Sequence, residues 1–256
     1  MPGRLQYASP SDVPALVGIF ERAFARDRAT RLKAAGHQER PSYIGSMIEA
    51  PLRDWLDQPH RCRVLKLETE ESLKPLGWIC WGFYGLTESK VGSLCASAET
   101  SSIECILRAR PGQYSLSALP EDCRPESKDP DRPADTPNQS VADLEALCSA
   151  DSKQWMSRLM PKGGRGMFIA SICIDPEHQG RGIGSELLQW GIRLADSELL
   201  SIWVHSSEDG WNLFASKGFE EIGRLQLDLG EYTKDDSLNL SDPYVYRYMV
   251  RRPLNS

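Results

Sequence analysis

The stretch that most limits what this chain can fold into is residues 166–197. An apolar run, a glycine-rich turn and an amphipathic segment follow one another there. Met167 to Ile174 is almost continuously apolar, as in a strand covered on both faces. Asp175-Pro176 ends it. Gln179-Gly180-Arg181-Gly182-Ile183-Gly184 then leads into apolar positions Ile183, Leu187, Leu188, Gly191, Ile192, Leu194 and Ala195, the stripe of a helix with one buried face. The pattern predicts strand, tight turn and helix, and therefore an α/β fold.

A strand running through glycines into a helix N-terminus is a physical device for holding an anion. The first helical turn has N–H groups with no intrahelical acceptor, and the helix dipole adds positive charge there. Glycines at 180, 182 and 184 let a phosphate approach the backbone without Cβ clashes, and Arg181 can add a charge. A dinucleotide fingerprint needs G-x-G-x-x-G and an acidic residue about 20 positions on, but these glycines run G-x-G-x-G with no such acid. A P-loop closes on GK[ST], and Gly184-Ser185-Glu186 has no lysine. The third binder of this kind is the pyrophosphate loop of acetyl-CoA-dependent N-acetyltransferases.

The flanking sequence continues the alternation. A strand is expected over Leu200–His205, a helix from about Glu208 to Lys217 capped by Gly218, and a strand from Phe219. At the other end, Arg4–Tyr7 reads as a short strand. Leu16, Ile19, Phe20, Ala23 and Phe24 mark a helix, and Tyr43–Leu56 a second. Cys62–Leu67 and Leu76–Tyr84 read as the strands of a hairpin, and Val141 to about Met160 as a helix. Between them the pattern degrades. Residues 85–140 are expected to be an insertion, partly loop or disordered, with six prolines between 111 and 137. The whole of 1–256 reads as one domain.

Composition narrows the partners. Formal net charge is −6, so the bulk positive field of a nucleic-acid binder is missing. The N-terminal residues have no apolar leader pattern, and no apolar run approaches the length of a bilayer span. Seven cysteines are scattered without a CxxC pair, which predicts reduced thiols, a cytoplasmic setting and no zinc site.

Together, Gln179–Gly184, the following SELLQWGIRLAD segment, the strand ending in HSS and Lys217-Gly218-Phe219 resemble the GNAT superfamily of acetyl-CoA-dependent N-acetyltransferases. The likeness is strong over 162–230, weaker over 1–84 and absent over 85–140, and the pattern is closest to fungal members with a long insertion before the cofactor strand. The resemblance implies a mixed central sheet with two splayed parallel strands and helices on both sides. It implies acetyl-CoA in the gap between those strands and a small-molecule or peptide amine entering from the other side. Backbone groups of Ile172, Cys173 and Ile174 would hold the pantetheine and the acetyl carbonyl, and Gln179, Gly180, Arg181, Gly182, Ile183, Gly184 and Ser185 the pyrophosphate. Many members carry a tyrosine four residues before the glycine of the KGF-like ending, placed to protonate the leaving thiolate. Here that residue is Phe214. This departure keeps a second reading open, a CoA-binding GNAT fold repurposed as a sensor or partner subunit.

Other residues carry both a chemical and a plain reading. His205 ends the second splayed strand and suits proton removal from an ammonium, or it bonds a local carbonyl. His178 reads as a solvated turn residue, and Cys173 as a small core residue, not a nucleophile. Ser207 could bond the pantetheine or cap the next helix. Trp78, Trp81, Phe83 and Tyr84 could line an acceptor pocket or simply cover a strand, and Glu104 or Asp122 could meet a cationic acceptor.

Overall fold

A computed structural model describes residues 2–37, 42–69, 74–99, 104–106, 140–233 and 242–254. The first strand, β1 (Pro2–Tyr7), is followed by helices α1 (Val13–Phe24), α2 (Arg28–Ala35) and α3 (Tyr43–Asp57). Strands β2 (Cys62–Thr69) and β3 (Pro75–Tyr84) come next, then α4 (Glu88–Glu99) and β4 (Glu104–Ile106). The second half runs α5 (Val141–Leu159), β5 (Gly166–Ile174), α6 (Ile183–Ser197), β6 (Ile202–Ser206), α7 (Trp211–Ala215), β7 (Glu220–Leu227) and β8 (Tyr244–Arg251).

The strands form one mixed sheet in the order β4-β1-β2-β3-β5-β6-β8-β7. Every described pairing is antiparallel except β5 with β6. This is the α/β architecture that the glycine-rich unit predicts, with the one central parallel pair that the family resemblance implies. Two layers of helices bury its faces. On one face Leu187, Leu188 and Ala195 of α6 pack with Ile79, Trp81, Ile169 and Val204. On the other, Leu16, Ile19, Ile48 and Leu52 of α1 and α3 pack with Val64, Trp78 and Cys80. A third cluster joins α2 and α5 to the β7–β8 end through Ala29, Leu32, Leu144, Leu227 and Tyr244. The close seating of α6 depends on Gly191, where a Cβ would lie 2.3 Å from the Trp81 ring. Among the described residues no helix is long and apolar enough to cross a membrane.

Four elements correct the sequence reading: α4 and β4 within the expected insertion, and α2 and β8 elsewhere. The stretch expected to be insertion from residue 85 begins with α4, whose Val91, Leu94 and Cys95 are buried in the α6-side core. Helix α2 and strand β8, for which the sequence reading has no element, complete the α1–α3 layer and the sheet. The proline-rich residues 111–137 lie outside the described residues.

Candidate functional site

The parallel pair is short. β5 and β6 pair only from Met167/Ile202 to Ile169/Val204, while β5 runs on to Ile174 and β6 to Ser206. The cause is visible on the other edge of β5. Cys80 of β3 opposes Ser171 and Trp81 opposes Ile169, so Ala170 is an extra residue. Such a bulge bends its strand and increases the local twist. Beyond Ala170, β5 keeps pairing with β3 but turns its free edge away from β6. An unpaired strand edge offers N–H and C=O groups to an extended ligand. A cavity of about 780 Å³ opens at this gap, lined by Ile172, Cys173 and Ile174 on one side and by Ser207 and Gly210 on the other.

The glycine turn closes one end of the cavity. Gly180 and Gly182 adopt φ +75° and +89°, left-handed values at which a Cβ is strained. Gly182 is the N-cap of α6 and supplies no capping side chain. The first helical bond is donated by Glu186 N–H to Gly182 O at 3.1 Å, so the N–H groups of Ile183, Gly184 and Ser185 have no intrahelical acceptor. These three residues, with Gly180 and Gly182, line the cavity. A Cβ at Gly182 would meet nothing within 4 Å. The backbone there faces open space of the kind a phosphate needs. Gly184 is different, because its Cβ would lie 2.8 Å from Leu213, so its bareness also lets α6 approach α7.

The neighbours of the turn are placed less simply. Gln179 lines the cavity and donates from Nε2 to Ile174 O at 3.2 Å. Arg181 does not line it, and its Nε is buried without a hydrogen-bond partner. His178, read from the sequence as solvated, instead lines the cavity with a buried Nδ1 that makes no hydrogen bond. That atom lies 3.9 Å from Asp175 Oδ1. Burial alone would raise the Asp175 carboxyl, but Arg22, donating from Nη2 at 2.5 Å, holds it below its usual range.

The opposite wall is apolar. Phe214 is 2% exposed, lines the cavity and packs edge-on against Phe219 at 5.5 Å. A phenylalanine offers no proton there. Gly210, not Ser207, caps α7, so Ser207 is left to face the cavity. The other end is built by the α1–α2 connection and the loop after β6, which contribute Phe24, Arg26, Asp27 and Asp209. The sequence reading assigns none of these residues to the site. They are distant in the chain and carry no motif, and only the fold brings them together.

His205 is not among the cavity-lining residues. It stacks on Tyr248 with centroids 4.5 Å apart and planes 5° off parallel, and Trp155 of α5 stacks on the far face of Tyr248. Burial pushes its pKa down to about 4, with Asp151 raising and Lys33 lowering it, and Nε2 has no hydrogen-bond partner. A group so placed is a poor proton acceptor near neutrality, which speaks against the base role considered for it. Cys173 lines the cavity, but burial pushes its thiol up to about 12, so it is no thiolate nucleophile. Trp78, Trp81 and Phe83 are core residues, and Tyr84 donates to Leu159 O at 3.0 Å. None of the four lines the cavity. The Glu104 side chain and Asp122 lie outside what the structure describes.

Residues 150–221, which hold the splayed strands and the glycine turn, match the family described as acetyltransferase (GNAT) domain. Arylalkylamine N-acetyltransferase 2 from Aedes aegypti has the same fold, with a TM-score of 0.56 at 10% identity over 98% of both chains. A putative arylalkylamine N-acetyltransferase 7 from the same mosquito gives 0.55 at 13% identity, covering 98% of this chain and 87% of the other. An agmatine N-acetyltransferase gives 0.53 at 11% identity, covering 98% of this chain and 99% of the other. No curated protein sequence matches the chain.

Proposed function

We propose that this chain transfers an acetyl group from acetyl-CoA to a primary amine by direct attack on the thioester. The observation that carries the reading is the cavity at the β5–β6 splay, which joins a free strand edge to a helix N-terminus with unengaged N–H groups. That combination suits one elongated ligand with an amide-bearing arm and a pyrophosphate. The family match over 150–221 and the shared fold support it.

In this reading the free edge of Ile172–Ile174 pairs with the pantetheine amides and a strand N–H stabilises the oxyanion. The N–H groups of Ile183, Gly184 and Ser185 hold the pyrophosphate against the bare Gly182. Ser207 adds a hydroxyl to the pantetheine, and Phe214 gives the thiol end an apolar wall. The thiolate leaves without a phenolic acid, which its modest basicity permits, since a thiol pKa is roughly 8.5. Phe214 also supports a second reading, a CoA binder without turnover.

One assay separates them. Purified protein is mixed with acetyl-CoA and a panel of primary amines, and free thiol is followed. Amine-dependent CoA release is expected. Tight acetyl-CoA binding by calorimetry with no release for any amine would leave the binder reading, and a Phe214→Tyr variant that gains turnover would identify the missing acid.

A further inference from the structure

Acetyl transfer needs a group that takes a proton from an incoming ammonium, and the cavity lining limits the choice. Among the described residues its ionisable side chains are Arg26, Asp27, Cys173, His178 and Asp209. Arg26 is a cation, and Cys173 keeps its proton in the core. His178 belongs to the glycine-turn end, beside Asp175. Asp27 is 6% exposed and already engaged. Its Oδ1 accepts from Tyr244 Oη at 2.6 Å and its Oδ2 from Thr30 N–H at 2.8 Å. Asp209 remains. It stands at the exposed rim, and no hydrogen bond or ion pair to another described residue holds its carboxylate.

The frame around Asp209 is fixed. Its neighbour Glu208 accepts from Arg28 Nη2 at 2.8 Å, and Arg28 also donates from Nη1 to Asp242 O at 2.8 Å. Tyr244, which donates to Asp27, accepts from Glu208 N–H at 3.5 Å. The lip after β6 and the lip between α1 and α2 are therefore tied together, with Asp209 on one and Asp27 on the other. Crowding by the pocket wall and then the charge of Asp27 raise the Asp209 carboxyl, against a lowering by Arg28, which moves it toward the proton it would accept.

We propose that Asp209 takes the proton of a cationic primary amine drawn to this end of the cavity by Asp27 and Asp209 together. This rests on the acetyl-transfer reading above. The ammonium gives one proton to the Asp209 carboxylate, and the amine nitrogen forms its bond to the acetyl carbon. The carbon–sulfur bond then breaks, the nitrogen's surplus proton passes to the departing sulfur, and Asp209 returns its proton to solvent. Two carboxylates against the one cation, Arg26, leave this end net negative, which favours an acceptor of net positive charge and disfavours one with a carboxylate beside its amine.

The test uses acceptor pairs that differ only by a carboxylate: phenethylamine with phenylalanine, and putrescine with ornithine. CoA release by the wild type is expected to favour the amine member of at least one pair by about tenfold or more, a preference of about 1.4 kcal/mol. Asp209→Asn, near-isosteric and at the exposed rim, is expected to lower kcat on that amine by about 100-fold or more with acetyl-CoA affinity unchanged by calorimetry. Asp209→Glu should restore most of the rate. An Asp209→Asn enzyme within about threefold of wild type, or a wild type equally active on both members, overturns this proposal and leaves acetyl transfer standing. No release from any acceptor overturns both together.

Discussion

A Cβ on Gly191 would lie 2.3 Å from the Trp81 ring, whereas one on Gly182 would meet nothing. The first glycine is bare because a helix must reach a sheet. The second is bare at φ +89° on the floor of a cavity, where space is kept for something other than protein. His205 shows the same need for context. In sequence it is a histidine at the end of a candidate site strand, and in the fold it is one ring of a Trp155–Tyr248–His205 stack. Its value of about 4 in the folded chain lies below the ordinary 6.5, so the unfolded chain binds more protons between those values. The stabilising contribution is therefore complete above about pH 6.5 and is lost as pH falls toward 4, by about 2 kcal/mol at pH 5. A His205→Phe variant keeps the stack and removes the titration. Urea unfolding at pH 7 and pH 5 should show the wild type losing about 2 kcal/mol more than the variant between the two. Equal losses would mean that His205 is solvated.

Among the elements, α4 is hidden by its own patterning. ESKVGSLCASAE is rich in small and polar residues, and only Val91, Leu94 and Cys95 mark its buried face, so it merges with the proline-rich stretch that follows. Leu94→Ala should destabilise the protein by about 2–5 kcal/mol in urea unfolding. Leu147→Ala on the exposed face of α5 should stay within about 0.5 kcal/mol. A silent Leu94→Ala would place α4 outside the core. Helix α2 escapes detection for a related reason, since RATRLKAA has too few apolar residues to show a period. By contrast β5 and α6 are legible because both of their faces, or one long stripe, are filled with large apolar residues. The site follows the same division. The glycine turn is readable because its chemistry lies in one short segment. Asp27 and Asp209 are not, because each is an ordinary loop aspartate until Arg28–Glu208 and Tyr244–Asp27 draw the two lips together.

At the scale of the molecule, one sheet carries apolar cores on both faces and parts its central strands at β5–β6. The walls of the resulting cavity come from α1–α2, β5, α6 and the β6–α7 loop, segments that are apart in the unfolded chain. A ligand that needs all of them binds only the folded state, and it stabilises by RT ln(1 + [L]/Kd). At 100 times its Kd, acetyl-CoA should add about 2.7 kcal/mol and raise Tm by roughly 5–10 °C for a domain of this size. Gly182→Ala carries a left-handed alanine, so its ligand-free Tm should start lower by the equivalent of about 1–2 kcal/mol. Its Cβ then occupies the cradle and should weaken acetyl-CoA about tenfold, which halves the added stability at the same ligand concentration to about 1.4 kcal/mol. Asp209→Asn, at the far lip, should keep the full ligand-induced shift, and NADH should produce none in any form. A Gly182→Ala protein whose shift equals the wild type's would remove the glycine turn from the binding site, whatever its ligand-free Tm.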